Sequence, residues 1–426
     1  MREIKNIGPE RIEEYLTVYL NAYPAFKSLD DSCREYYRQK TETDMREDEG
    51  SVEFVGLFED NKLVATMKIV KFSMNFYGRM EYATGLMALA VHPLYKKRGI
   101  ALEMVRYFEK YSRDTGALAA LLLPFDIAFY RRMGYGLGSR MDEYRIPTEG
   151  LPACSDLSSM RILSGEDLQE VLSCYTRYAE KNHGVLKKTG EEIRAIESDT
   201  QVKRVGCIGE DGQLKGYIAY RFSNGSDVNY TLNHIDVEEL IYEDGRTLRK
   251  LLGFLRLQAD QVQEVVLRSG EEDFYHLLRD PQDVSENYIP FGYLQTNISA
   301  VGTMYKILDP EYFIGKTSYR SFPVGEKELI VEFRYEDQLE HAEKTVTVAF
   351  FKDSSGEGRW KAAGEDAKPS VSVRCEQGDL AALFLGSCRF SSMVRLGTAE
   401  ISDNAFTEYI DRLLCCPQEP WTNTDY

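Results

Sequence analysis

The segment Val91-His92-Pro93-Leu94-Tyr95-Lys96-Lys97-Arg98-Gly99-Ile100-Ala101 places three successive cations and a glycine between an apolar run and a helical one. Such a loop can hold an anion. The first N–H groups of a helix have no partners, and the helix dipole adds partial positive charge at the same place. Gly99 would let a phosphate approach the backbone closely, with Lys96, Lys97 and Arg98 adding charge on the rim. A basic surface loop at the head of a structural helix would look much the same. The loop alone does not decide between the two.

Two further groups of residues could do chemistry. About thirty residues beyond the loop stands Phe129-Tyr130-Arg131-Arg132-Met133-Gly134-Tyr135, in which Tyr130 is one of 28 tyrosines. A positioned phenol can act as a general acid, whereas a packed one is only core. The chain ends in Pro420-Trp421-Thr422-Asn423-Thr424-Asp425-Tyr426. Last residues usually fray. Trp421 and Tyr426 are costly to leave in water, so a docked tail is expected.

The elements needed to position these residues can be read from hydrophobic spacing. In a first block, Arg11 to Phe26 is a helix by the spacing of Ile12, Tyr15, Leu16 and Tyr19. Val52–Glu59 and Lys62–Phe72 form a hairpin about Asp60-Asn61. Tyr82–Val91 is nearly all apolar, as a strand covered on both faces should be. After the basic loop a helix runs from Ile100 to about Thr115 and ends at Gly116, as at a C-cap glycine. Ala117–Leu123 is the next strand, Ile127–Met133 a short helix, and Met141–Ile146 the last strand of the block. A parallel pair joined by a crossover helix makes this an α/β unit.

A second block repeats the outline: a helix over Gly165–Asn182, a hairpin around Asp211-Gly212, a strand over Asn233–Leu240 and a helix over Thr247–Ala259. Glu264–Leu267 is its next strand, and Pro290-Phe291-Gly292-Tyr293 echoes Met133-Gly134-Tyr135. Where the first block has a basic loop, this one has only Ile241-Tyr242-Glu243-Asp244-Gly245-Arg246. A short acidic loop repels anions, so this copy is expected to be silent. A third block alternates strands (Glu328–Tyr335, Lys344–Phe351, Val371–Val373) with a helical run at Leu380–Gly386 and a last helix over Asn404–Leu414. It reads as an antiparallel sheet with helices on one side.

Composition bounds the rest. With 426 residues the chain should hold two to four domains, and 43% hydrophobic with 28% charged residues is ordinary for a globular protein. The start, Met1 to Asn6, opens no signal peptide, and the longest aliphatic run, Ala117–Leu123, cannot cross a bilayer. Eight scattered cysteines and five isolated histidines offer no metal spacing, which suggests free thiols in a reducing cytoplasm and no metal. A net charge of −17 argues against nucleic acid and anionic membranes, and is compatible with a cationic substrate.

Lys96, Gly99 and Ala101, following an apolar strand and Val91-His92-Pro93, resemble the pyrophosphate loop of the GNAT N-acetyltransferase superfamily, with Lys96 in place of the commoner Gln or Arg. Phe129-Tyr130 followed by Gly134-Tyr135 resembles a second element of that superfamily. The resemblance implies acetyl-CoA bound along Leu89, Ala90, Val91, Lys96, Lys97, Arg98, Gly99, Ile100, Ala101 and Leu102, with Phe125 and Asp126 bordering it. It also implies that Tyr130 protonates the departing thiolate.

The three-block plan is similar to the Eis (enhanced intracellular survival) family. That likeness implies a catalytic GNAT domain over 1–148, a degenerate GNAT-like domain over 155–302, and a sterol-carrier-protein-like antiparallel α+β domain over 303–426. The expected fold class is α+β/α/β, with two GNAT-type mixed sheets carrying helices on both faces. The same likeness implies that the carboxylate of Tyr426 is the general base and that the protein forms a hexamer, and the charge of Asp425 beside it could help attract the cation. Acceptors would be aminoglycoside-like or lysine and peptide amines. The reading from another class is a non-catalytic acyl-CoA- or lipid-binding regulator, and an intact loop and Tyr130 favour the enzyme.

Overall fold

The computed structural model describes residues 1–23, 30–48, 50–229, 232–289, 292–364, 366–422 and 424. Pro290, Phe291, Asp425 and Tyr426, which carried expectations, lie outside them.

The first part of the chain forms β1 (Arg2–Asn6), α1 (Ile12–Ala22), α2 (Asp31–Glu47), β2 (Val52–Glu59), β3 (Lys62–Phe76) and β4 (Arg79–Val91). These lead into α3 (Ile100–Asp114), β5 (Ala120–Leu122), α4 (Ile127–Arg131), β6 (Gly136–Leu137) and β7 (Arg140–Pro147). The expected hairpin is present. Asp60 and Asn61 take φ of 50° and 65°, the left-handed pair that a two-residue hairpin turn requires. Helix α1 packs on one face of β3 and β4 through Tyr15 and Leu16, and α3 covers the other through Met104, Val105 and Phe108.

Next come β8 (Met160–Leu163), α5 (Leu168–Lys181), α6 (Gly190–Ser198), β9 (Lys203–Ile208), β10 (Leu214–Asn224), β11 (Asn233–Tyr242), α7 (Gly245–Arg256) and β12 (Val262–Ser269). A small hairpin of β13 (Tyr288–Ile289) and β14 (Tyr293–Leu294) precedes β15 (Ile298–Val301) and β16 (Met304–Lys306). The remainder holds α8 (Pro310–Lys316), β17 (Leu329–Asp337), β18 (Ala342–Lys352), β19 (Gly358–Ala362) and β20 (Val371–Glu376). It closes with α9 (Gln377–Leu385), α10 (Phe390–Leu396), β21 (Ala399–Ile401) and α11 (Thr407–Leu414).

Two seven-stranded mixed sheets result, ordered β1-β2-β3-β4-β5-β16-β6 and β15-β7-β12-β11-β10-β9-β8. They trade strands. The strand expected to close the first block forms as β7 but pairs with β12 in the second sheet. Met304–Lys306, at the opening of the third block, inserts between β5 and β6 of the first. Sheet boundaries therefore do not follow the sequence positions 148 and 302. The cause is local: each strand carries the alternating inward residues its adopted sheet can bury, such as Tyr144 and Ile146 in the second core and Met304 in the first.

The third sheet, β19-β18-β17-β20-β21, was expected to be antiparallel and is mixed, because β17 and β20 run parallel from Val331/Val371 to Glu336/Glu376. Its core is continuous with the first sheet. Val70, Phe72, Met74 and Phe76 of β3 share one cluster with Phe313, Phe333, Trp360 and Phe384. Among the described residues no helix is long and apolar enough to cross a membrane.

Candidate active site

β4 and β5 pair in parallel only from Thr84/Ala120 to Leu86/Leu122. β4 continues to Val91, so among the described residues Met87–Val91 have no strand partner on that side and the sheet opens into a V. A bulge shapes this edge. Thr66 pairs with Ala90 but Lys68 with Met87, so three steps on β4 match two on β3, with Ala88 at φ 50°. The extra residue turns Leu89 and Val91 toward the α3 core and leaves Ala90 on the α1 side.

A cavity of about 550 Å³ lies along this edge. Leu89 and Val91 form its strand wall, and Lys96, Lys97 and Gly99 its loop. Ile100, Ala101 and Leu102 supply the first turn of α3, and Phe125 stands opposite. Of the remaining loop residues expected here, Ala90 is buried in the α1 core and Arg98 lies over the Tyr95 ring at 4.9 Å. Asp126 instead caps α4, accepting from the Phe129 N–H at 3.0 Å. Sequence reasoning missed Ala22, Tyr23, Tyr95 and Phe129 as lining residues. Tyr23 donates to the Leu89 carbonyl at 2.9 Å and so ties α1 to the bulge. Its spacing from Tyr15 and Tyr19 was the available signal.

Gly99 is the N-cap of α3, at φ 76°, with no side chain capping the helix. A Cβ there would meet nothing within 4 Å, so the backbone angle, not crowding, demands glycine. The helix N–H groups are thus left open to the cavity, and Lys96 and Lys97 flank them. This arrangement can hold a pyrophosphate.

Tyr130 is buried, with ring centroids 5.5 Å from Phe125, 5.0 Å from Phe129 and 6.0 Å from Tyr135. It stands behind Phe125 and Phe129 and does not line the cavity itself. Burial, with the neighbouring Tyr23 and Asp126, raises its pKa, so the phenol keeps its proton. Behind it, Lys306 of the inserted strand grips both Glu109 oxygens of α3 at 2.9 Å and the Met133 carbonyl at 2.7 Å. That buried pair locks the loop-bearing helix to the turn after Tyr130.

On the other face of β4, a cleft of about 670 Å³ separates α2 from α6, with Val52, Val70 and Met87 as its floor. Neither helix was expected from the sequence. Lys68, nearly buried, bonds Asp44 at 3.0 Å and Glu191 at 2.7 Å, and Lys40 holds the other oxygen of Glu191 at 2.7 Å. Arg194 bonds Asp44 at 2.9 Å and Asp48 at 2.6 Å. Burial would raise the Glu191 pKa, but Lys68 and Lys40 outweigh it and hold the carboxyl down to about 2.

The tail reaches this neighbourhood. Trp421 packs on Tyr178 at 6.5 Å and against Gly270, and Thr424 is buried against Tyr175. Tyr175 in turn bonds the Leu186 carbonyl at 2.9 Å, just before the Thr189 cap of α6.

In the second domain the matching helix α7 begins differently. The Asp244 side chain accepts from Thr247 N–H at 2.8 Å and closes the helix end with its own carboxylate.

Residues 3–138 match an acetyltransferase (GNAT) domain family, and residues 184–296 match a second acetyltransferase (GNAT) domain family. No curated protein matches the sequence. Among solved structures, a probable N-acyltransferase of unknown function from Enterococcus faecalis V583 superposes with TM-score 0.75 at 17% identity, over 100% of both chains. A GCN5-related N-acetyltransferase from Kribbella flavida gives 0.75 at 18% identity, covering 100% of this chain and 98% of that one. Eis1 from Mycobacterium abscessus gives 0.74 at 19% identity, over 100% of both.

Proposed function

We propose that this chain, an acyltransferase carrying two GNAT acetyltransferase domains, moves the acetyl group of acetyl-CoA to an amine in its first domain. The observation that carries the reading is the V beside β4, where the uncapped, lysine-flanked start of α3 faces a cavity. In this reading Lys96, Lys97 and the first turn of α3 hold the pyrophosphate, and the edge of Leu89–Val91 that faces away from β3 holds the pantetheine arm. Bound there, acetyl-CoA supplies the acetyl group as a thioester. Tyr130, behind Phe125 and Phe129, is in this reading the group that protonates the departing sulfur, and its raised pKa keeps the phenol protonated at neutral pH.

The amine approaches from the cleft between α2 and α6. The Tyr426 carboxylate removes its proton, with Asp425 nearby to attract the cation. Thr422 and Thr424, both buried, with Thr424 against Tyr175 of α5, support this assignment. The third domain, read as a sterol-carrier-protein-like fold, is then a scaffold that delivers the tail, and the assembly is a hexamer.

Thiol release from acetyl-CoA with a panel of amines tests the reading. Binding of acetyl-CoA without thiol release for any amine would favour a carrier and sink the enzyme. Extending the chain by one residue after Tyr426 should depress turnover about 10²-fold or more, the scale of a lost general base. Undiminished turnover would remove Tyr426 from the mechanism.

A further inference from the structure

We infer that Tyr23 is a positioning residue for the donor: its hydroxyl holds the Leu89 peptide so that the edge beside the bulge meets the thioester in the right place. The inference rests on the reading above, in which that edge receives the pantetheine arm. It adds a residue to which that reading gives no part.

The bulge is strained. Ala88 stands at φ 50°, a region that residues other than glycine avoid. Such backbone persists only where its surroundings over-determine it. On the β3 side the ladder does this, with Thr66 paired to Ala90 and Lys68 to Met87. Lys68 is itself fixed, by Asp44 at 3.0 Å and Glu191 at 2.7 Å. On the other side β5 has already left, since its pairing with β4 ends at Leu86/Leu122. The Tyr23 hydroxyl adds a restraint where the strand is missing, donating to the Leu89 carbonyl at 2.9 Å.

Tyr23 is built to be a fixed point. It ends α1, and its ring meets Tyr19 at 5.5 Å, which in turn stacks on the buried Tyr15 at 5.6 Å. This ladder, spaced four residues apart, runs along one face of α1 into the core that α1 shares with the first sheet. Burial raises the Tyr23 pKa, so the phenol remains a donor at neutral pH. Its ring lines the same cavity as Leu89, Phe125 and Phe129, and its phenol adds to the burial that raises the Tyr130 pKa. One side chain thus ties down the donor's edge and stands near the proposed acid. Group transfer is sensitive to such placement, because a small displacement of the reacting atoms costs rate while distant binding contacts survive.

The test compares the full chain with Tyr23→Phe, which keeps the ring and removes only the hydroxyl. In the ligand-free protein, hydrogen exchange across Met87–Val91 should quicken about fivefold, the equivalent of one neutral hydrogen bond, with the rest of the first sheet unmoved. Thiol release is then read with acetyl-CoA and whichever of kanamycin, spermidine and 2-phenylethylamine the native chain turns over fastest. We expect kcat to fall about tenfold, while the calorimetric Kd for acetyl-CoA stays within about twofold of native. Ala88→Gly in the Tyr23→Phe background supplies the second arm. Glycine takes φ 50° without strain, so the bulge no longer needs its tie and most of the lost kcat should return. Unchanged exchange, an unmoved kcat, a loss that falls on Kd instead, or no recovery with Ala88→Gly would each overturn the inference and leave the acetyltransferase reading intact. No thiol release by the native chain with any of the three amines would sink that reading, and exchange across Met87–Val91 would then decide by itself whether Tyr23 holds the bulge.

Discussion

Helices α3 and α7 occupy the same place in two similar domains, each after a strand whose parallel neighbour departs early, and they begin in opposite ways. α3 starts at Gly99 with its N–H groups uncapped and two lysines beside them. α7 starts at Asp244, whose carboxylate takes the Thr247 N–H and fills the position an anion would need. The second domain is closed elsewhere too. Trp421 packs against Gly270 just beyond β12, where the first domain leaves its V open. The two domains thus differ at this place by an acidic cap and an inserted side chain. On the proposed reading, a bound ligand satisfies the exposed helix end of the first domain.

The largest effects should fall on the open domain. Tyr130→Phe removes the proton donor and should lower kcat about 10²- to 10⁴-fold with little change in acetyl-CoA binding. Full activity in that variant would mean that the site needs no acid there, and the contrast between domains would then rest on binding alone. Lys306→Met leaves Glu109 buried and unpaired, which typically costs about 3–5 kcal/mol. Burial already raises the Glu109 pKa even with Lys306 present. A fall in the unfolding midpoint of α3 and the first sheet, followed by urea denaturation, is the expected readout. A second-domain substitution on exposed surface should not produce it.

The domains are also joined by a buried histidine. His183, which follows α5, stacks on Tyr77 of the β3–β4 turn at 4.5 Å and reaches the Leu385 carbonyl of the third domain at 2.8 Å. Burial lowers its pKa to about 4. An unfolded imidazole titrates near 6.5, so the unfolded chain binds more protons between these values. Stability that is complete above about pH 6.5 should therefore drain away as the pH falls toward 4, by about 3 kcal/mol in all. A thermal-stability profile flat across that window would show that His183 stays solvated.

Gly99→Val forces a β-branched residue to φ 76°, costing about 1–3 kcal/mol or distorting the loop, and the KM for acetyl-CoA should rise about 10- to 100-fold. Gly245→Val, at the first position of α7 just after its Asp244 cap, has open space around its Cβ and no positive φ, and should leave that KM unchanged. Equal effects at both positions would erase the distinction between the two helix ends.

Much of the donor side was legible because it is local. The loop, the glycine and the helix behind it occupy one continuous stretch, and Leu89, Val91 and the first turn of α3, which the family resemblance singled out, line one cavity. What escaped was contributed by distant chain. Lys306 reaches Glu109 from 197 positions away, and nothing in the residues around Met304–Lys306 announces that this strand belongs to the first sheet. Helix α2 escaped because it buries little. Only Thr41 and Asp44 are buried within it, so no apolar stripe marks it. The cleft is built from that polar helix and from α6, and it was therefore invisible to a reading of hydrophobic period. The aromatic shield of Phe125 and Phe129 over Tyr130 was half visible, as a motif without its geometry.

The smallest expected effect is the sharpest test of the comparison. Asp244→Ala removes the side chain that closes α7, and a lost N-cap of this kind costs about 1 kcal/mol. The hydrogen bond from Thr247 lowers the Asp244 pKa, so this contribution exists above pH 4 and fades as acid protonates the carboxyl. Unplugging the helix does not build a site, because the loop before it stays short and Glu243 remains, bonded to Arg177 at 2.7 Å. Calorimetric titration with acetyl-CoA should find one molecule per chain both before and after the substitution. A second molecule in Asp244→Ala would mean that the cap alone separates a working domain from a silent one, and that the wedge of Trp421 does not matter. One molecule per chain assigns the silence jointly to the missing lysines and the occupied V.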